Sequence, residues 1–119
     1  MSQHWHEVQD ELRDPVKELR AQIPETWHAY ATLHRHALEA GHIDAKTKEL
    51  IALAVAVTTQ CDGCIASHAR GAARQGATAE EVAEALGVVV LLTGGPGTVY
   101  GPRAYQAFLE FREDYRTAE

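Results

Sequence analysis

DAKTKELIALAVAVTTQCDGCIASH, residues 44–68, contains the strongest structural signal in this 119-residue chain. Residues 50–57 are an apolar run without the alternation of a strand, and Asp44 stands upstream at the position of a helix N-cap. We therefore predict a helix that begins after Asp44, is apolar over most of its surface and lies at the centre of the molecule. The second half of this stretch contains Cys61 and Cys64, the two cysteines of the chain.

Helical spacing continues downstream of this stretch. It predicts a helix from about Cys64 to Arg74 that Gly76 ends, and then a Thr78-x-x-Glu81 capping box before a helix over residues 79–93. A last helix runs from about residue 96 or 98 to Tyr115. With the upstream segments, these elements predict an all-α fold of about six helices.

Three helical segments are predicted upstream. Residues 3–13 lean on the rest of the protein through Trp5, Val8 and Leu12, and Asp14 with Pro15 opens a short second helix that ends before Pro24. The third runs from Pro24 to a C-cap at Gly41 and has an apolar side made of Trp27, Tyr30, Ala31, Leu33 and Leu38.

The composition indicates one globular domain spanning residues 1–119, since 45% of the residues are apolar. The net charge of -6 argues against nucleic acid and against a membrane surface as the main partner. The longest mainly apolar run, residues 86–92, is too short to span a bilayer, and the polar N-terminus does not look like a signal peptide. We expect a cytoplasmic protein. Residues 88–92 are apolar on all sides, which suggests a subunit interface.

The CDGC motif and the histidine that follows it suggest a reactive site. At about 100° per residue, Cys64 lies at about 300° and His68 at about 340° from Cys61, so all three share one helix face. In a reducing compartment, a CxxC pair is more typical of redox or metal chemistry than of a permanent cross-link. A helix N-terminus favours the thiolate, and His68 can take a proton from the Cys64 thiol. Glu49, a carboxylate inside the apolar helix, is a candidate partner for this imidazole.

Other interpretations of the same residues stay open at this stage. The two cysteines with His68 and Glu49 make a candidate structural zinc site, or the thiols are buried and inert. Glu49 can instead be a solvated residue paired with Lys46 or Lys48. Six further histidines fit a solvated polar face: His4, His6, His28, His34, His36 and His42. Tyr100 and Tyr105 are expected to pack in the core or an interface, and Arg103 between them to form a surface salt bridge.

The combined pattern Glu49-x(11)-Cys61-x-x-Cys64-x-x-x-His68 resembles the thiol site of the AhpD-like alkylhydroperoxidases. These proteins belong to the carboxymuconolactone decarboxylase superfamily. Residues 44–96 resemble the core of that family throughout, and a looser likeness reaches Tyr105. The core of such a domain here would span about residues 30–110.

The resemblance implies a helical trimer or hexamer with thiol peroxidase activity and no cofactor beyond the Cys61–Cys64 disulfide itself. Cys61 and Cys64 would be the redox pair, and Glu49 and His68 the proton relay. The substrate would be a hydroperoxide, and the reductant a dithiol such as a lipoyl domain or a thioredoxin-like protein. The best-known members carry a histidine where this chain has Gly63. Of the two thiols, Cys64 is favoured as the attacking one because it lies one turn before His68.

Two rival functions follow from the same residues. The decarboxylase branch of the family suggests a lyase that acts on a carboxylated lactone through His68 or Glu49. A non-enzymatic redox sensor or zinc-binding protein is the other. Loss of activity on replacement of the cysteines separates the peroxidase from both.

Overall fold

The computed structural model describes residues 3–116, which form an all-α fold with no strand in that range. Its six α-helices confirm the predicted fold class. They are α1 (His4–Gln22), α2 (Pro24–Leu38), α3 (Ala45–Thr58), α4 (Asp62–Arg74), α5 (Ala79–Thr93) and α6 (Gly95–Arg112), followed by a 3-10 turn at Glu113–Tyr115. Within residues 3–116, no helix combines the length and the apolar character needed to cross a bilayer.

The core lies between α3, α4, α5 and α6, with α4 in contact with α3, α6 and α1. Large buried side chains come from Leu53, Ile65, Phe108 and Phe111. The face of α4 toward them is built from alanines, including Ala66, Ala69, Ala72 and Ala73. Such small residues let neighbouring helices approach closely, and this places the residues of α3 within reach of those of α4.

Predicted helix starts at α3 and α5 are confirmed. The Asp44 carboxylate accepts the Thr47 backbone N–H at 2.7 Å. Thr78 and Glu81 form a reciprocal capping box, in which each side chain accepts from the backbone N–H of the other. Both caps satisfy amides that the first helical turn would otherwise leave without a partner.

The prediction of two helices before Pro24 was wrong, because α1 is continuous through Pro15. A proline inside a helix removes one backbone hydrogen bond. Here Pro15 and the residues around it are exposed, so water can bond the carbonyl that loses its partner. The expected stop before Pro24 is present, with Ile23 as the C-cap of α1.

The predicted apolar side of α2 does not enter the core, and none of its residues is fully buried. Tyr30 and Leu33 are 61% and 64% exposed. The helix also ends earlier than expected, at Leu38 with Glu39 as its C-cap rather than at Gly41. At this end, the Lys48 ammonium donates to the Glu39 carbonyl at 2.7 Å and so satisfies a carbonyl that the helix leaves without a partner.

The first turn of α1 is fixed to the end of α6 by Glu110, a buried carboxylate. It accepts the backbone N–H groups of Trp5, at 3.1 Å, and of His6, at 2.7 Å, and so caps α1 from a distant part of the chain. The His6 ring lies between Glu110 and Asp114, with 2.7 Å between its Nε2 and Asp114 Oδ2. The expectation that His6 is solvated was therefore wrong.

The pKa of His6 is raised by this environment. Burial acts against the charged imidazolium, but the hydrogen bonds and negative charges of Asp114 and Glu110 outweigh it. Neighbouring groups complete the cluster: Arg70 of α4 lies 3.8 Å from Asp114 and above the ring of Phe111. The start of α1 is thus held by an ionic cluster as well as by the buried indole of Trp5.

Part of the apolar surface of α5 is exposed. Val88, Leu91 and Leu92 are 57%, 79% and 78% exposed, and Val99 at the start of α6 is 57% exposed. Residues 88–92 were expected to form a subunit interface, and that assignment stays a prediction.

Candidate active site

The cysteine pair lies where α3 ends and α4 begins. A residue in the left-handed region of φ ends α3 at this point. Gln60 has a positive φ of 55°, and the Cys61 N–H then returns to the Ala56 carbonyl at 3.2 Å. Together with the bond from Gln60 N–H to Val57 O, this is the Schellman arrangement that ends a helix. The turn brings Cys61 directly to the start of α4.

Cys61 is the N-cap of α4, which therefore begins at Asp62 rather than at the predicted Cys64. Its Sγ accepts the Cys64 backbone N–H at 3.2 Å and is bonded to the Cys64 Sγ, with 5.2 Å between the two Cα atoms. Cys64 is exposed, whereas Cys61 is half-buried. The amides of a first helical turn favour negative charge, so this location suits a sulfur that must carry charge when it is released.

Leu12 of α1 covers the turn between the cysteines. A Cβ built on Gly63 would meet Leu12 Cδ1 at 3.3 Å, so the glycine leaves room for α1 to approach the motif. The predicted contact of α1 with the rest of the protein through Leu12 is thus located at the CDGC motif, although Leu12 remains 44% exposed.

Glu49 and His68 meet between α3 and α4. Glu49 is 7% exposed, and its Oε1 lies 3.0 Å from His68 Nδ1. Because a carboxylate accepts, Nδ1 carries the proton of the neutral ring and Nε2 is left to accept one. Lys46 and Lys48 are turned elsewhere, to Glu81 and to the Glu39 carbonyl, so the interpretation of Glu49 as a solvated partner of these lysines was wrong.

Gly71 makes the burial of Glu49 sterically allowed. A Cβ on Gly71 would lie 1.3 Å from Glu49 Oε2, so any other residue would occupy the volume of the carboxylate. Sequence reasoning missed this residue. One signal was present, because a glycine inside a helix costs about 1 kcal/mol relative to alanine and so indicates a packing role.

His34 is exposed, as expected, and its ring also contacts this region. Its ring, from α2, stacks on the His68 ring with centroids 5.8 Å apart and planes inclined by 19°. Both rings and Glu49 line a cavity of about 430 Å³, which Arg35, Arg70 and Arg74 also line. The cavity gives the carboxylate–imidazole pair a route to solvent.

Arg103 forms the expected salt bridge, and its partner is Asp62, the residue that follows Cys61. Its Nη2 lies 3.4 Å from Asp62 Oδ2. Tyr100 and Tyr105 are partly buried and pack against the core, as expected. Tyr105 also lines an apolar cavity of about 360 Å³ between α5 and α6.

The zinc alternative needs Cys61, Cys64, His68 and Glu49 to converge on one point. Over residues 3–116, no three His, Cys, Asp or Glu side chains are grouped in a way that could hold a metal ion. The two sulfurs are instead bonded to each other, and Glu49 is bonded to His68.

Two solved structures resemble this fold closely. A carboxymuconolactone decarboxylase family protein from Legionella pneumophila is 37% identical with a TM-score of 0.90, over 93% of this chain and 99% of that one. A family member from Thermotoga maritima, described with a suggested involvement in antioxidative response, is 30% identical with a TM-score of 0.68. That comparison covers 76% of this chain and 93% of the other.

Curated relatives include two uncharacterised bacterial proteins. One from Cupriavidus necator is 38% identical over 85 residues, which is 71% of this chain and 75% of that protein. One from Haemophilus influenzae is 47% identical over 68 residues, or 57% of this chain, and the match spans 60% of the relative's own length. The model of the carboxymuconolactone decarboxylase family matches residues 24–113. With these structural and sequence matches, the chain belongs to the carboxymuconolactone decarboxylase family.

Proposed function

We propose that this protein is a thiol-dependent peroxidase that reduces hydroperoxides through Cys61 and Cys64. One observation carries the proposal: a disulfide at a helix N-terminus lies one helical turn from a buried carboxylate–imidazole pair. A structural cross-link has no need of such a pair, whereas thiol chemistry needs a base to form the thiolate and an acid to protonate the leaving oxygen.

In the proposed oxidation, His68 accepts the Cys64 proton through Nε2, and Glu49 stabilises the imidazolium. The Cys64 thiolate attacks the terminal oxygen of the hydroperoxide. The O–O bond breaks, Cys64 becomes a sulfenic acid, and the alcohol leaves after His68 returns the proton. Cys61 then attacks the sulfenic sulfur and releases water, which gives the disulfide. One hydroperoxide is reduced to alcohol and water while two thiols are oxidised.

In the proposed reset, a dithiol attacks the exposed Cys64 sulfur and Cys61 leaves. The departing Cys61 sulfur carries the negative charge, and the Cys64 amide that already donates to it stabilises that charge. The second thiol of the donor then resolves the mixed disulfide. Because Cys64 is exposed, its sulfur is accessible to a dithiol donor such as a lipoyl group or a thioredoxin-like protein.

The test is turnover of an organic hydroperoxide, with dihydrolipoamide as donor, by native protein and by Cys61→Ser and Cys64→Ser. We expect each replacement to abolish turnover, because each removes one of the two sulfurs that must pair. Thr59→Ser is the matched control. Thr59 lies two residues before Cys61, and serine keeps the hydroxyl that donates to the Val55 carbonyl. Full turnover by the Cys61→Ser/Cys64→Ser double variant would overturn the proposal. Decarboxylation of a carboxylated lactone by that variant would favour the lyase instead.

A further inference from the structure

Asp62 and Arg103 form an ion pair beside the cysteine motif. Asp62 follows Cys61 in the first turn of α4, and its Oδ2 lies 3.4 Å from Arg103 Nη2 of α6. The guanidinium lies over two aromatic rings, 5.7 Å from the Trp5 centroid and 5.5 Å from that of Tyr100. The two rings therefore fix the cation at the start of α4.

Parts of this pair are excluded from solvent. Each side chain as a whole is nearly half exposed, yet Asp62 Oδ1 and Arg103 Nε are buried and have no hydrogen-bond partner among residues 3–116. The described residues give neither of them a second ion pair. Among the described residues, the charge of Asp62 is therefore balanced chiefly by Arg103.

We propose that Arg103 is a positioning residue that acts through Asp62 to keep the cysteine pair reactive, an inference that rests on the proposed redox function. The Asp62 carboxylate follows Cys61 and competes with a thiolate for the positive end of α4. Arg103 holds that carboxylate and offsets part of its charge. Without Arg103, the carboxylate would be free to repel a thiolate in the motif.

The sign of the effect follows from which species is charged. The disulfide and the neutral thiols carry no charge, so the ion pair acts on the thiolate. Arg103→Gln leaves Asp62 unbalanced and reduces the thiolate fraction. Asp62→Asn removes the repulsion and increases it.

The experiment measures the rate constant for iodoacetamide alkylation of the reduced protein at about pH 7, with mass spectrometry to identify the modified cysteine. Because the pair is partly exposed, we expect a decrease of about threefold in Arg103→Gln and an increase of about threefold in Asp62→Asn. Arg103→Lys keeps the charge and should therefore retain more of the native rate than Arg103→Gln does. In the Asp62→Asn background, adding Arg103→Gln should change the rate by less than about 1.5-fold, because Arg103 acts through Asp62.

A second readout is the equilibrium in which the protein disulfide and two glutathione molecules give the protein dithiol and oxidised glutathione. At about pH 8.5, Arg103→Gln should lower this equilibrium constant about threefold, which corresponds to a reduction potential lower by about 14 mV for two electrons. Asp62→Asn should raise the constant by the same factor. Arg112→Gln is the matched control, since it removes one charge from the same helix, and circular dichroism checks that each variant is folded.

Native rates in Arg103→Gln would overturn the proposal, and so would an equal effect of Arg103→Gln in both backgrounds. Neither readout contains a hydroperoxide. A failure of the peroxidase proposal in the turnover assay is therefore distinguishable from a failure of this one.

Discussion

Gly71 is the residue on which the geometry of the candidate site depends most directly. We predict that Gly71→Ala lowers peroxidase turnover about 100-fold, because the new methyl group would displace the Glu49 carboxylate and separate it from His68. The displaced carboxylate should also lower the free energy of unfolding by about 1–3 kcal/mol. Turnover and urea denaturation measure the two effects.

Gly87→Ala is the control for this substitution. Gly87 also lies inside a helix, and a Cβ built on it meets no atom within 4 Å. Alanine there should keep turnover and add about 0.5–1 kcal/mol of stability. Full turnover by Gly71→Ala would mean that Glu49 has no part in the reaction.

Glu49→Gln tests the charge of this carboxylate at constant shape. The amide oxygen can still accept from His68 Nδ1, but it no longer stabilises a positive imidazolium. We predict a decrease in turnover of about 100-fold, measured with organic hydroperoxide under saturating dithiol. Glu84→Gln, at an exposed position of α5, should leave turnover unchanged. Equal losses in the two variants would assign the effect to net charge rather than to the Glu49–His68 pair.

At the scale of elements, the ends of α3 and α4 use the same turn with different residues. Gly76 takes the left-handed position after α4, with a φ of 81°, and Gln60 takes it after α3, with a φ of 55°. Only glycine adopts this conformation without a steric cost. We predict that Gln60→Gly stabilises the protein by about 1 kcal/mol and that Gly76→Ala destabilises it by a similar amount. Chemical denaturation measures both, and a loss of stability in Gln60→Gly would contradict the assignment.

The attachment of α1 should depend on pH through His6. Its pKa is raised in the folded protein, against the opposing effect of burial, by Asp114 and Glu110. Because the pKa of His6 is higher in the folded than in the unfolded protein, its protonation stabilises the fold. This contribution is full at pH values below the unfolded-state pKa of about 6.5, and it is lost as the pH rises through the folded-state pKa. The melting temperature of native protein should therefore exceed that of His6→Gln most at about pH 5.5, and the difference should shrink toward pH 9.

His36→Gln is the control for the pH series. His36 pairs with Glu39 on an exposed surface of α2, so its removal should change the melting temperature little at any pH. A native advantage over His6→Gln that grows with pH would contradict the role given to the His6 cluster.

At the scale of the whole molecule, the exposed apolar residues of α5 predict self-association. Leu91 and Leu92 expose nearly four-fifths of their area and lie next to the exposed Val88. Contiguous apolar surface of this kind is typical of an interaction site, whereas single exposed leucines are common on any surface. We expect the native protein to sediment as an oligomer, and Leu91→Lys to shift it toward the monomer because a charge opposes burial in an interface. Glu84→Lys, on the same helix, is the control. A native monomer at micromolar concentration would contradict this prediction.

Local signals in the sequence predicted much of the fold. Asp44 and the Thr78/Glu81 capping box mark helix starts through side chains that act on their own backbone, so both were correct. The helix break predicted at Pro15 was wrong, because propensity rules describe average helices. An exposed helix can tolerate the backbone hydrogen bond that proline removes. The apolar side of α2 was misjudged because periodicity shows that a face is apolar and does not show what covers it.

The candidate site was predicted less completely. The spacing of Glu49, Cys61, Cys64 and His68 was sufficient to nominate these four residues, and the structure pairs the sulfurs and joins Glu49 to His68. Spacing along the sequence could not predict which side chains other helices bring to the site. His34 and Arg103 reach the site through tertiary packing, and Gly71 acts through the absence of a side chain.

The most direct test of the redox assignment is a free-thiol count on reduced, metal-free protein before and after one equivalent of an organic hydroperoxide, followed by a dithiol. We predict that both thiols of each chain disappear together, with one alcohol formed, and that both return when the dithiol is added. Two thiols that remain free in the presence of the hydroperoxide would contradict it, and the family's lyase chemistry would then be the function to test.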